Sequence, residues 1–383
     1  MRMPLQVLVR AALGVAAISV AGCESERSSA LRRQPNTRIT EYLSIPPAAV
    51  PAELGSMALE PLDPYVDVNF RGLSVVDERT VWIGGSEGTV LKTLDGGERF
   101  FQCFVPGGDQ LDFRDVQAFD QVRCLIMSAG PGDSSRIYKT VDGGANWSLT
   151  LRNPDESGFF DGMSFWDDQR GLVYGDPVDG HFYVARTTDG GASWEQVPPD
   201  SLPAARNGEA GFAASGTGIT THGSQHAWFC TGGAGPVRVF HTEDGGTSWE
   251  AIDTSLEVKQ ASAGGFSLTF FDESHGVLVG GDYLQPYGRS DHCAVTADGG
   301  RSWLSIDEGS PGGHRACVAY RPGVETLELL SVGRAGVDLS LDGGVQWSRV
   351  DAPGFYCVEF GGMNFAFLTG SGGRLARLVA PTP

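Results

Sequence analysis

An eight-residue phrase recurs six times in this chain of 383 residues. Each copy has a Thr or Ser two residues before an Asp-Gly-Gly, and an aromatic five residues after the Asp. The copies are Thr93/Asp95/Phe100, Thr140/Asp142/Trp147, Thr187/Asp189/Trp194, Thr242/Asp244/Trp249, Thr296/Asp298/Trp303 and Ser340/Asp342/Trp347. Their aspartates stand 47, 47, 55, 54 and 44 residues apart. A repeat of about 40 to 50 residues is the length of one four-stranded blade of a β-propeller, a unit that cannot bury its faces alone and must stack against copies of itself. The spacing predicts an all-β chain arranged as radial blades.

The phrase itself reads as a tight turn. The Asp carboxylate accepts from amides just ahead of it, the Gly-Gly pair takes positive φ, and the aromatic folds back as a hydrophobic plug. In residue types and spacing it resembles the Asp-box, or BNR, repeat. In families with that box it is a structural turn remote from any active site, so no catalytic role is assigned to it. One carboxylate per loop is far from the six to eight oxygens that calcium takes. The spacing of the cysteines matches no zinc pattern, and no metal site is expected.

Six boxes mark six blades. After the last box, Phe355 to Phe360, Asn364 to Thr369 and Arg374 to Val379 supply three further strands. The segment from Ser56 to Pro61, similar to the strand after a box, is the natural fourth. Seven blades follow, with the ring closed by an N-terminal strand so that no strand edge is left open. Residues 55–383 are therefore read as one propeller. Residues 1–22 carry Arg2 and Arg10, an apolar run from Ala11 to Val20 and then Cys23, which resembles a bacterial lipoprotein signal. Lipidation of Cys23 is expected; cleavage after Ala21, leaving Cys23 a spare thiol, is the alternative. Residues 23–54 read as a tether. The protein is thus expected to be exported and lipid-anchored in the cell envelope, meeting the membrane only through Cys23. Six further cysteines, Cys103, Cys124, Cys230, Cys293, Cys317 and Cys357, leave disulfides and buried thiols both open.

With 28 Lys+Arg against 47 Asp+Glu the formal net charge is −19, which repels nucleic acid and anionic lipid. Against that background the first residues of the innermost strands stand out. Aligned on the boxes, they read Arg71, Arg114, Asp161, Glu209, Phe266, Arg315 and Tyr356 around the channel mouth. Arg315, Tyr356, Arg71 and Arg114 form a basic arc, and Asp161 and Glu209 an acidic one. Asp115 lies beside Arg114, and Asp176 and Asp282 follow the glycines that end two second strands. Converging guanidiniums hold a carboxylate, phosphate or sulfate by paired hydrogen bonds. Arg71, Arg114, Arg315, Asp115, Asp176 and Asp282 are the expected ligand-binding set.

From about residue 55 to the end the chain resembles the seven-bladed propellers known as photosystem II assembly and stability factors, and within them a bacterial branch often labelled oxidoreductase or glycosyl hydrolase. The phrases that carry the resemblance are Phe70 to Asp77, Asp112 to Asp120, Gly175-Asp176-Pro177 and Ala213 to Thr217, with a looser match at Arg334 to Asp338. The resemblance implies an arginine patch, which Arg71, Arg114 and Arg315 would form, and a role in recognition or assembly. No dinucleotide, haem or flavin motif supports an oxidoreductase, and no cofactor is expected. The expected function is binding of an anionic group on a protein partner or small ligand. The alternative is a sialidase-like glycoside hydrolase acting on an acidic sugar, with Asp161, Glu209 and Tyr356 as catalytic groups. Against it, sialidases have six blades, and Tyr356 in blade seven lies across the ring from Glu209 in blade four.

Overall fold

The computed structural model describes residues 56–288 and 292–380; the signal segment, the tether and Cys23 lie outside the described residues. Seven four-stranded antiparallel sheets make up the described chain. Blades 1 to 6 each run from an innermost to an outermost strand in chain order, as in blade 1 with Phe70–Val75, Val81–Gly85, Val90–Thr93 and Phe101–Gln102. Blade 7 takes Cys357–Gly362, Phe365–Thr369 and Leu375–Val379 from the end of the chain and Ala58–Leu62 from its beginning. Leu62 pairs with Leu375 and Ala58 with Val379, and Arg377 ties the joint by ion pairs to Glu60 at 2.8 Å and Glu98 at 2.9 Å.

Burial along each blade explains its composition. Second strands such as Val81–Gly85, Cys124–Ser128 and Phe365–Thr369 are buried at every residue, because both faces of a blade are covered by its neighbours. They read as continuous apolar runs rather than alternating ones. Fourth strands lie at the rim, and both residues of Phe101–Gln102 and of Glu195–Gln196 are exposed. All six described cysteines are buried free thiols, with the Cys317 and Cys357 sulfurs 3.7 Å apart between blades 6 and 7.

The repeated turn joins blades as well as strands. In blade 3, Thr187 Oγ1 donates to Asp189 Oδ1 at 2.8 Å, and the same Asp oxygen accepts from the amides of Ala192 and Ser193, both at 2.9 Å. The second glycine of the turn sits against the preceding blade. A Cβ on Gly97 (φ 98°) would meet Leu62 at 2.6 Å, and one on Gly191 (φ 78°) would meet Leu125 at 2.2 Å. The closing aromatic packs there too, as Trp147 does edge-on to Trp82 with ring centroids 6.2 Å apart.

These turns predict a pH dependence. Slight burial pushes the Asp189 carboxyl up, but bonds from the Ser193 hydroxyl and amide, from Thr187 and from Ala192 outweigh it and bring the group down to about 2. Asp244 and Asp298 are lowered in the same way through Ser248 and Ser302, Asp95 chiefly by the Arg99 side chain and Asp142 chiefly by that of Asn146. A carboxyl depressed below its unfolded value near 3.9 stabilises the fold fully above that value and loses the contribution as pH falls through the folded one. Circular dichroism should therefore show stability falling between about pH 4 and pH 2, and Asp189→Asn should flatten that limb.

Candidate functional site

Four of the seven innermost strands carry a β-bulge near their first residue. The pairing register slips between Phe70 and Gly72, Phe113 and Asp115, Phe160 and Gly162, and Gly265 and Ser267. Arg71, Arg114, Asp161 and Phe266 are the extra residues. A bulge leaves its residue out of the ladder and re-aims its side chain, here into the mouth of the channel. The phenylalanines before the first three bulges, Phe70, Phe113 and Phe160, are wholly buried and anchor the backbone there.

The channel below that mouth is plugged. In blade 4 the chain leaves the sheet after Ala210, which bridges Gly232, and re-enters only at Ile219. The intervening segment crosses the axis and bonds to each of the other six blades. Ala214 O accepts from Arg71 Nη1 at 3.4 Å, and Ala213 O from Arg114 Nη1 at 3.3 Å. Gly211 N donates to Asp176 at 2.8 Å, and the Thr217 and Ser267 hydroxyls are 2.7 Å apart. Ser215 Oγ donates to Ala316 O at 2.7 Å, and the Cys357 thiol approaches Ser215 O at 3.7 Å. Gly216 (φ 77°) passes so close to Asp115 that a Cβ would lie 2.3 Å from its carboxylate.

The plug forms the floor of a cavity of ≈ 390 Å³. Its lining includes Arg71, Arg114 and Arg334, the acids Asp161 and Asp176, and the aromatics Phe212, Phe266, Tyr283 and Tyr356, with His314. Phe212 and Phe266 are stacked with centroids 4.1 Å apart, and His314 meets Phe266 edge-on at 4.5 Å. The Arg71 guanidinium lies 4.1 Å from the centroid of Tyr356, a cation–π contact. Arg114 is paired with Asp112 at 2.7 Å. Arg71 has no carboxylate partner among the described residues; burial, and then the like charge of Arg114, lower its pKa. Exposed Arg334 also stands without an ion pair among the described residues. Two buried groups remain unsatisfied at the walls: Asp161 Oδ2, and both ring nitrogens of His314. Burial, reinforced by Asp176, holds Asp161 well above the carboxylate range, while burial and the neighbouring Arg315 push His314 down to about 3. The site therefore offers two cations free of carboxylates among the described residues, a carboxyl whose charged form burial disfavours, and an imidazole that is neutral at neutral pH.

Arg71, Arg114, Asp161, Asp176 and Tyr356 come together as the alignment predicts; four other expected residues do not. The innermost strand of blade 6 pairs without a bulge, and Arg315 turns the other way, wholly buried on Asp338 of its own blade, to which its Nε donates at 2.7 Å. Glu209 precedes the plug rather than occupying the mouth. Its Oε1 accepts from Thr231 at 2.6 Å and Arg238 Nε at 2.8 Å, and its Oε2 from Arg238 Nη2 and the Arg206 amide. Asp282 caps its own loop through the Leu284 amide at 2.9 Å. Asp115 is buried against the Val116 and Met163 amides at 2.7 and 2.6 Å, and burial pushes it up to about 8. The hydrolase arrangement thus loses the Asp161 and Glu209 pair. Arg334 is the residue that alignment of the innermost strands missed. A glycine followed by a polar residue at the end of a second strand, which singled out Asp176 and Asp282, reads Gly333-Arg334 in blade 6.

The chain is a seven-bladed β-propeller with a plugged channel and a basic, aromatic-walled cavity over the plug. Its fold is similar to that of YCF48 bound to D1 peptide, at 20% identity and a TM-score of 0.61, over 84% of this chain and 97% of that one. YCF48 from Cyanidioschyzon merolae is similar at 17% identity and a TM-score of 0.59, over 84% and 99% of the two chains. The WD40 propeller domain of Doa1, at 12% identity and 0.57 over 85% and 98%, shares the architecture as well. At these identities the likeness is one of fold. No protein-family model and no curated protein matches the chain.

Proposed function

We propose that the protein is a recognition propeller that holds an acidic segment of a protein partner at its arginine-rich channel mouth, in an assembly or stability role akin to that of the photosystem II assembly factors it resembles. The observation that carries this reading is the pair Arg71 and Arg334, two guanidiniums without carboxylate partners among the described residues, facing one cavity in a chain of net charge −19. An anion there would relieve the repulsion among Arg71, Arg114 and Arg334, and guanidiniums match a carboxylate in shape as well as charge. The aromatic wall suits an apolar side chain beside that carboxylate. A neighbour of the same fold holds D1 peptide, which supports a peptide as the class of ligand. Lipidation of Cys23 would keep the propeller at the envelope membrane, where partner proteins emerge.

Calorimetric titration with short peptides tests the reading. Peptides carrying Asp or Glu beside an aromatic are expected to bind in the micromolar range and to weaken as sodium chloride rises, since such contacts are screened. Their amide counterparts are expected to bind at least ten times more weakly. Equal binding of the two sets, or none by either, would overturn the reading.

A further inference from the structure

Three of the chain's seven histidines gather at one end of blade 4. His222 and His226 are directly opposed across the first two strands, Ile219–His222 and His226–Cys230. His241 comes from the third strand, Gly235–Thr242, where it opposes Trp228, and Glu243 follows that strand. The cluster lies at the strand ends that bear the repeated turns, on the side of the ring away from the arginine cavity. It has no part in the proposed function.

The geometry points to a divalent metal site formed by His226, His241 and Glu243, of the kind that takes zinc. His226 Nδ1 and His241 Nε2 are 3.2 Å apart, and one donor atom from each of the three residues falls within 4.8 Å of the others. Two nitrogens on one tetrahedral zinc, each at about 2.0–2.1 Å, stand about 3.3 Å from one another. Two imidazoles and a carboxylate form a ligand set that leaves room for water in the fourth position.

The surroundings orient these ligands. His241 is 4% exposed and belongs to a stacked group of rings: its ring is 4° from parallel to Trp228 at 4.8 Å and 18° from His226 at 5.5 Å, and Trp228 stacks on Phe270 of blade 5 at 3.7 Å. Trp228 Nε1 is fixed in turn by Gly299 O at 2.9 Å, so the imidazole cannot tilt freely. The strand bearing His226 is held by Trp166, whose Nε1 donates to His226 O at 2.7 Å. Arg301 of blade 5 grips the Glu243 carboxylate, as partners of metal-ligating carboxylates commonly do. Half-exposed Glu243 leaves the site open to solvent on one side.

Zinc chloride titrated into the full chain, free of any affinity tag, should give one saturable site and a rise in thermal midpoint. His226→Gln, whose side chain is only half-buried, should keep the metal-free midpoint and weaken zinc at least tenfold; Glu243→Gln should also weaken it about tenfold. His275→Gln, at the separate His275 and Asp272 pair, should leave the affinity unchanged. Copper(II) should quench tryptophan emission with the same saturation point, and Trp228→Phe, which retains the stack, should remove most of that quenching. Absence of a saturable site, or affinities unaltered by both His226→Gln and Glu243→Gln, would show that the histidines form only a stacked hydrogen-bonded pair. Quenching undiminished in Trp228→Phe would place the metal elsewhere.

Discussion

Arg334→Ala should weaken binding of an acidic peptide by roughly 10- to 100-fold while leaving the thermal midpoint unchanged. A hydrogen bond to a charged group contributes about 1.5–3 kcal/mol, and each 1.4 kcal/mol is a factor of ten. Arg334 is the clean test because it is exposed and forms no ion pair among the described residues, so its loss strands no buried charge. Arg71→Ala should cost at least as much affinity, since it removes the cation stacked on Tyr356 and bonded to the plug at Ala214. Arg71→Lys should recover only part of it, because an ammonium keeps the charge but not the planar fork. Arg114 is already paired with Asp112, so the residual carboxylate of Arg114→Ala would repel the peptide as well. Calorimetry alongside thermal melts separates binding from folding. Unchanged affinity in both Arg71→Ala and Arg334→Ala would remove the cavity from consideration as the binding site.

The opposite pattern is expected at Arg315. Its guanidinium is wholly buried and its partner Asp338 is 2% exposed, so removing either leaves a charge in the core with nothing to meet it. Asp338→Ala should destabilise the protein by about 3–5 kcal/mol, read from urea unfolding. Replacing both, as Arg315→Met with Asp338→Leu, should restore most of that loss, because a buried ion pair gains little over an apolar pair of similar volume. The double variant should bind acidic peptide as the parent does. Loss of affinity at full stability in that variant would return Arg315 to the site from which the structure removes it.

Arg315 and Arg71 show where legibility in the sequence ends. Both follow a large residue near the start of an innermost strand, and both line up on the repeated turn. The bulge between Phe70 and Gly72 sends Arg71 into the cavity; the unbulged pairing of blade 6 leaves Arg315 with Asp338. Nothing in the local phrase His314-Arg315-Ala316 distinguishes the two outcomes. Glu209 is a second case. The eight-residue excursion of Gly211 to Gly218 pushes the start of the strand along by several positions, and a ruler based on the repeat cannot register an insertion that crosses the axis. Asp176 and Arg334, where a glycine late in a second strand precedes a charge, were within reach of pattern alone.

The number of blades and the all-β architecture were determined by the sequence itself. The six turns recur because each blade needs one and each packs its second glycine and its aromatic on the blade before it, and a local turn with a neighbour contact is written in consecutive residues. The functional mouth was decided only by the tertiary structure. Which side chains converge there depends on four bulges, on one plug that bonds to every other blade, and on buried acids that claim Arg315 and Arg238. Those are contacts between residues tens to hundreds of positions apart, set by strand register and desolvation, and no spacing along the chain encodes them.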